Sequence, residues 1–280
     1  MKRRAFLKKS LFVSAALSLG AVSGFGKISQ KGAKMKIAVL AASGRAGRLI
    51  TEEALNRGYS VSAFVRNAEK AKDLAQKGAS VVQKDIFALS SADLQGFDVI
   101  INAFGEWKDF SLYKKQGAHL VGILAGNKAR FLVVGGAGGL YIDKSHTTRL
   151  MDTPSFPDAY KGVANAHAEL LELLRSQNAL NWVYVCPAAE FVADAPKTGK
   201  YKIIGEEFET NAKGESKVSY ADYASAMLDI AQNPKLNKVR VGVIGLKAVK
   251  TCGKCRKFFN KVAQSVKFKL LQRIHNVKIQ

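Results

Sequence analysis

From Met35 onwards, short runs of β-branched, aliphatic and aromatic residues alternate with longer stretches in which apolar positions recur every three or four residues. The short runs are Lys36–Ala41, Ser60–Val65, Ser80–Gln83, Asp98–Asn102, Arg130–Val134, Asn181–Cys186 and Val239–Ile244. Several are apolar throughout, as strands buried by helices on both faces are. Helical periodicity fills Arg45–Asn56, Ala68–Gln76, Ser111–Ala125, Tyr160–Ser176 and Tyr220–Ala231. Strand and helix in alternation predict βαβ units, and so an α/β fold: a doubly wound parallel sheet of about seven strands in a single domain over residues 35–246. Gly58 and Gly78 stand where helix-ending glycines belong, and Ser219 followed by Asp222 has the spacing of a capping box. Pro187–Gly214 reads as an insertion before the last helix, with Thr198–Thr210 forming a hairpin. Lying beyond the carboxyl ends of the strands, it is expected to wall a substrate pocket.

Charge changes this picture only at the ends. The 280 residues carry a net charge of +22, which raises the question of nucleic acid or an anionic membrane. Residues 1–34 hold eight Lys/Arg and no acid, and residues 247–280 hold ten and again no acid, so the segment between them has a net of only +4. It shows no basic run with interleaved aromatics, and nucleic-acid binding by the core is not expected. Cys186, Cys252 and Cys255 are too few for a disulfide framework, and Cys186 sits in an apolar run that would bury it.

The first strand runs directly into Ala41-Ala42-Ser43-Gly44-Arg45-Ala46-Gly47 and then a helix. A turn of small residues at a helix N-terminus puts backbone N–H groups and the positive helix end beside a diphosphate, the mark of a Rossmann-type dinucleotide site. Ala41 replaces the first glycine of the usual pattern, while Gly44 and Gly47 remain where phosphate contact and close helix packing need them. After the second strand, Phe64-Val65-Arg66-Asn67 offers a base where NAD-binding chains offer an acid. Arg66 and Arg45 can both reach a 2′-phosphate, so NADP(H) is expected in preference to NAD(H). Asp85-Ile86 after the third strand is placed to meet adenine, and Ala103-Phe104-Gly105 after the fourth lies along the cofactor. Val134 closes the fifth strand and Gly135 and Gly136 follow it, as Pro187 follows the sixth.

These segments resemble a known group. Val39–Gly47, Asn102–Gly105, Val133–Gly138, Thr147–Pro154, Pro187–Ala189 and Ser219–Ala224 are similar to the atypical short-chain dehydrogenase/reductases. Within them the likeness is to bacterial NADH-flavin reductases, which are related to NmrA-like and biliverdin-reductase-B-like proteins. It covers about residues 35–246. The resemblance implies NADP(H) binding and reductase activity on flavins or quinones.

Typical members of the wider superfamily use a Tyr-x-x-x-Lys pair to exchange a proton with a carbonyl oxygen. Tyr160, Tyr141 and Tyr113 are followed at the fourth position by Ala164, Ser145 and Gly117, so the usual keto–alcohol mechanism is not expected. Flavin or quinone reduction relaxes that requirement, because positioning does most of the catalysis. Tyr160, Lys161 and His167 lie near the place of the missing pair and are the candidates for substrate contact or proton supply; a solvated helix face is the plain alternative. His119 and His146 read as structural or exposed, and four scattered histidines give no catalytic metal site. Three functions follow: an NADPH-dependent reductase with flavin or quinone as substrate, a non-catalytic NADP-binding redox sensor, and, disfavoured by the missing pair, a sugar-nucleotide epimerase.

The ends carry their own expectations. Lys2-Arg3-Arg4, an apolar stretch Leu11–Val22 and Ala21-Val22-Ser23 form an export-signal pattern, and Arg3–Lys8 is similar to the twin-arginine signal. A periplasmic location is expected, or a cytoplasmic one if translation starts at Met35. Residues 247–280 read as a basic amphipathic tail that could lie on an anionic membrane surface; its Cys252-Gly253-Lys254-Cys255 is a weak signal for metal or redox chemistry.

Overall fold

The structure, a computed structural model, describes residues 34–246. The readings made for the export signal and for the basic tail with Cys252 and Cys255 lie outside the described residues. In chain order the elements are β1 (Lys36–Leu40), α1 (Arg45–Asn56), β2 (Ser60–Val65), α2 (Lys72–Gln76), β3 (Ser80–Gln83), β4 (Val99–Asn102), α3 (Ser111–Ile123), β5 (Arg130–Val134), α4 (Asp158–Arg175), β6 (Asn181–Cys186), β7 (Glu190–Val192), β8 (Tyr201–Ile204), β9 (Lys217–Ser219), α5 (Tyr220–Gln232) and β10 (Val239–Gly245). The main sheet has the order β3-β2-β1-β4-β5-β6-β10-β8. Its first seven strands are parallel and β8 runs antiparallel to β10, so the expected seven-stranded parallel sheet is present with one further strand at its edge.

The continuous apolar runs follow from burial on both faces. In β1, Ile37 and Val39 pack on the side of Ile50 and Ala54 from α1, Leu74 from α2 and Leu228 from α5. Ala38 and Leu40 pack on the opposite side with Leu120 from α3 and Leu170 from α4. All four strand residues are fully buried. Polar residues at alternate positions would be stranded against a helix, so no period-two alternation is seen. The helices of the first face are also tied together by charge. Arg57 donates to Glu53 on α1 and to Asp229 on α5, Lys197 donates to Glu53, and Tyr201 donates to Asp229. Burial alone would raise the Glu53 carboxyl, but the hydrogen bonds from Lys197 and Arg57 overcome it and hold the group below the usual carboxylate range.

Gly58 and Gly78 have φ of 80° and 101° and end α1 and α2 as expected. The helix read over Ala68–Gln76 divides into a 3-10 turn at Ala68–Ala71 and the short α2. The Thr198–Thr210 hairpin does not form. Only Tyr201–Ile204 is a strand, and it extends the open edge of β10, where Gly242 to Gly245 pair with Ile204 to Tyr201. The residues after it turn instead to Tyr141, whose N–H donates to the Glu206 carbonyl and whose carbonyl accepts from Phe208 N–H. An isolated two-stranded ribbon is marginal, and the exposed edge of a large sheet offers the better ladder. Asp222 does not close the reciprocal half of a capping box: Ser219 caps its N–H, while its buried carboxylate accepts from Thr198 and Gly199 and fixes the approach to β8.

Candidate functional site

The loop between β1 and α1 has the geometry of an anion cradle. Ala41, in the place of the usual glycine, has φ of 56°, a left-handed conformation that glycine adopts freely and alanine at a cost. This turn ends β1 at Leu40, one residue before the expected boundary, and lets the Ala41 carbonyl accept from Gly44 N–H at 3.0 Å. A Cβ at Gly47 would lie 2.5 Å from the Ala41 oxygen and 2.9 Å from the Ala42 Cα. Only glycine lets α1 approach this closely. No side chain caps α1, which leaves its first-turn N–H groups open to an anionic ligand.

Above the loop lies a cleft of about 890 Å³. At its β2–β3 end stand Arg66 and Lys70, together with Asn67, Lys84, Asp85, Ile86 and Phe87, while Arg45 lines the cleft at the start of α1, near enough to act on the Tyr220 hydroxyl; none of the three forms an ion pair within 4 Å among the described residues, and Arg66 helps to lower the Glu106 carboxyl. Lys84 is occupied: it holds Asp93, whose carboxyl falls to about 2 through the Lys84 hydrogen bonds. Asp85 accepts the N–H of Phe87 and so shapes the turn. Along one wall run Ala103, Phe104, Gly105, Glu106 and Trp107 after β4. Backbone N–H groups of Lys108 and Trp107 hold the Glu106 carboxyl below its ordinary range.

The β5 end is aromatic. Val134 and Gly135 form its floor, and Tyr113, His167, Phe191 and Tyr220 its sides. Phe191 and Tyr220 stack with ring centroids 3.6 Å apart. Tyr113 lies edge-on to Phe104 at 5.5 Å and tilted over His167 at 4.6 Å. His167 Nδ1 is 2.8 Å from the Tyr184 hydroxyl, and burial pushes the imidazole down to about 4. A second, polar cavity of about 350 Å³ lies behind His167, with Gly136, Tyr184, Arg149, Arg175 and Arg240 among its lining.

Most of the residues expected from the sequence line the cleft: Ala41, Ser43, Gly44, Arg45, Ala46, Arg66, Asp85, Ile86, Ala103, Phe104, Gly105, Val134, Gly135 and His167. Gly47 lies beneath the loop as a packing residue. Gly136 lines the second cavity instead, and Pro187 is buried outside both. Tyr160 and Lys161 are also outside both cavities. Lys161 turns to Asp158 at 2.7 Å within the first turn of α4, and Tyr160 is an exposed ring against Trp107. Of the Pro187–Gly214 insertion only Phe191 reaches the cleft, because the rest feeds β8 and the short β7–β9 sheet. Tyr113, Trp107, Phe191 and Tyr220 were not foreseen; alternation of elements places strand ends but not the rings that converge on them.

A Cβ at Gly135 would strike the Tyr184 ring at 2.3 Å, so packing behind the floor admits only glycine there. Residues 41–234 match a protein family described as NAD(P)H-binding. The chain belongs to this family. It is also 41% identical over 212 residues to the uncharacterised protein YwnB of Bacillus subtilis, a match covering 75% of this chain and 98% of that protein. A solved structure from Streptococcus pneumoniae, provisionally named an NADH-flavin reductase, is 46% identical with a TM-score of 0.71, covering 75% of this chain and 99% of the other. A Burkholderia pseudomallei structure provisionally described as an exported protein is 30% identical with a TM-score of 0.66, covering 75% and 99%. These matches agree with the resemblance to atypical short-chain dehydrogenase/reductases.

Proposed function

We propose that this chain is an NADPH-dependent reductase that delivers hydride to a planar acceptor, a flavin or a quinone. The carrying observation is the pairing of two features in one cleft: the basic side chains Arg45, Arg66 and Lys70 along its lining, and an aromatic chamber from which the tyrosine and lysine nearest the usual proton-transfer pair are excluded. The open N–H groups of α1 and the Gly44–Ala46 turn would hold the diphosphate, and Asp85 to Phe87 the adenine. Arg45 and Arg66 would take the 2′-phosphate through charge-assisted hydrogen bonds. Ala103 to Gly105, Val134 and Gly135 would bed the nicotinamide half, whose chemistry when bound is hydride donation. The chain's own work is then to orient two flat rings against each other between Tyr113, Phe104 and the Phe191–Tyr220 stack. The provisional name of the Streptococcus pneumoniae relative supports this reading.

Steady-state oxidation of NADPH and NADH with FMN, FAD and quinones tests it. Turnover with at least one acceptor, faster from NADPH, is the expected result. Tight cofactor binding with no turnover on any acceptor would make the chain a cofactor sensor instead. Export to the periplasm accompanies the proposal, supported by the description of the Burkholderia pseudomallei relative. Mass spectrometry of the native N-terminus in fractionated cells checks it, and an intact Met1 on a soluble cytoplasmic species would overturn it.

A further inference from the structure

Hydride arriving on a flavin or quinone leaves negative charge on a ring oxygen or nitrogen, and a preorganised donor aimed at that atom lowers the barrier. His167 is the candidate for such a donor. It is the residue, among those described, that lines both the cleft and the second cavity. Its Nδ1 lies 2.8 Å from the Tyr184 hydroxyl, and Nε2 has no hydrogen-bond partner among the described residues. The single proton of Tyr184 has two acceptors in reach, Nδ1 at 2.8 Å and the His167 carbonyl at 3.2 Å. That carbonyl lies within α4, where it also serves the helical ladder. Of these two acceptors Nδ1 is the closer, and when the phenol donates there a neutral imidazole must carry its proton on Nε2.

The surroundings hold the pair in place. A Cβ at Gly136 would lie 2.9 Å from the imidazole Cδ2, and Tyr113 covers the ring from the other side. We propose that His167 is a catalytic hydrogen-bond donor, fixed by Tyr184 in its Nε2–H tautomer, that bonds the acceptor atom on which charge accumulates during hydride transfer. The inference rests on the reductase reading above. The electrons balance simply: the acceptor gains one hydride from the nicotinamide and one proton from water in the open cleft, and the nicotinamide leaves oxidised. Imidazole keeps its proton throughout. Burial suits this role, since a neutral ring donates without the desolvation cost of a cation.

The test combines a spectroscopic readout with kinetics. With 15N-labelled histidine, the wild-type protein should show His167 with a protonated Nε2 and an unprotonated Nδ1, and Tyr184→Phe should convert it to a mixture of tautomers. His167→Phe should lower kcat with menadione or FMN by about 100-fold, the scale of losing one such donor, while leaving the NADPH dissociation constant unchanged. That unchanged constant also shows that the variant is folded. A wild-type His167 protonated at Nδ1, or a His167→Phe protein with wild-type kcat, would overturn the proposal while the reductase reading stands. Absence of any wild-type turnover would overturn both.

Discussion

The two ends of the cleft are built on different principles. At the end formed by the first loop and the β2–β3 residues, the proposed recognition rests on backbone and charge: an uncapped helix start, glycines that admit close approach, and the basic side chains Arg45, Arg66 and Lys70. At the β5 end, recognition comes from shape. Rings from separate segments, Phe104, Tyr113, His167, Phe191 and Tyr220, hold one another at 3.6 to 5.5 Å. The first end is specified by one strand–turn–helix and the residues just after the next two strands. The second exists only when the whole sheet has formed. On the reductase reading proposed above, the anion end then depends on local sequence and the acceptor end on side chains carried by distant loops.

Breaking the backbone end should have the largest effect. Gly47→Val would place side-chain atoms against the Ala41 carbonyl and the Ala42 Cα, both backbone, so the loop itself must move. Overpacking of this kind costs about 1–3 kcal/mol or more, and displacing the cradle adds the lost diphosphate contacts. NADPH affinity, read by fluorescence titration, should fall by at least about 100-fold, close to 3 kcal/mol. Thermal melting should show a lower midpoint in the absence of cofactor.

The aromatic end is sensitive to pH through one buried imidazole. His167 titrates near 4 in the fold because burial disfavours its charged form, against about 6.5 in an unfolded chain. Between these values the unfolded state binds the extra proton. The contribution to stability is therefore complete above about pH 6.5, is lost as pH falls towards 4, and is flat below. At about 1.4 kcal/mol per unit, the loss is at most about 3 kcal/mol. Urea unfolding of wild type and His167→Gln across pH 4–7 isolates it: the difference between the two proteins should change by this amount, and parallel curves would show that the ring is solvated.

This contrast also explains what the sequence could disclose. Seven parallel strands, five helices and the glycine loop were legible because each is a local pattern, and double-sided burial leaves continuous apolar runs such as Lys36–Leu40 that periodicity detects. Arg45 and Arg66 were legible because they lie at fixed offsets from the strand ends. Phe191 and Tyr220 were not, because they are 29 residues apart in a segment whose hairpin reading proved wrong; β8 leaves that segment to pair with β10. Tyr160 and Lys161 illustrate the converse error. Their position in the chain suited catalysis, but the start of α4 at Asp158 gives Lys161 a partner three residues back, and both side chains end outside the cleft.

Charge at the backbone end should be worth less than its geometry. Arg66→Ala removes one charge-assisted partner of a 2′-phosphate, worth about 1.5–3 kcal/mol, while Arg45 and Lys70 remain. The NADPH dissociation constant should rise about 10- to 100-fold, and that for NADH should change little. Equal loss for both cofactors would show that Arg66 holds the diphosphate or the adenine instead.

The smallest effect should come from the feature that makes the loop unusual. Ala41 stands at φ of 56°, where an L side chain costs about 1–2 kcal/mol relative to the right-handed helical region. Glycine removes that strain but gives the unfolded chain more freedom, at about 0.5–1 kcal/mol. The difference leaves Ala41→Gly more stable by up to about 1 kcal/mol, or roughly 2–4 °C in melting midpoint for a domain of this size. Because Ala41 lines the cleft while its carbonyl holds Gly44, NADPH affinity should stay within about twofold. A variant that melts higher and binds equally well would mean that the alanine is merely tolerated in this turn. A variant that melts higher but binds more weakly would show that the methyl group itself helps set the loop for the cofactor, and would shift part of the recognition at this end from backbone to side chain.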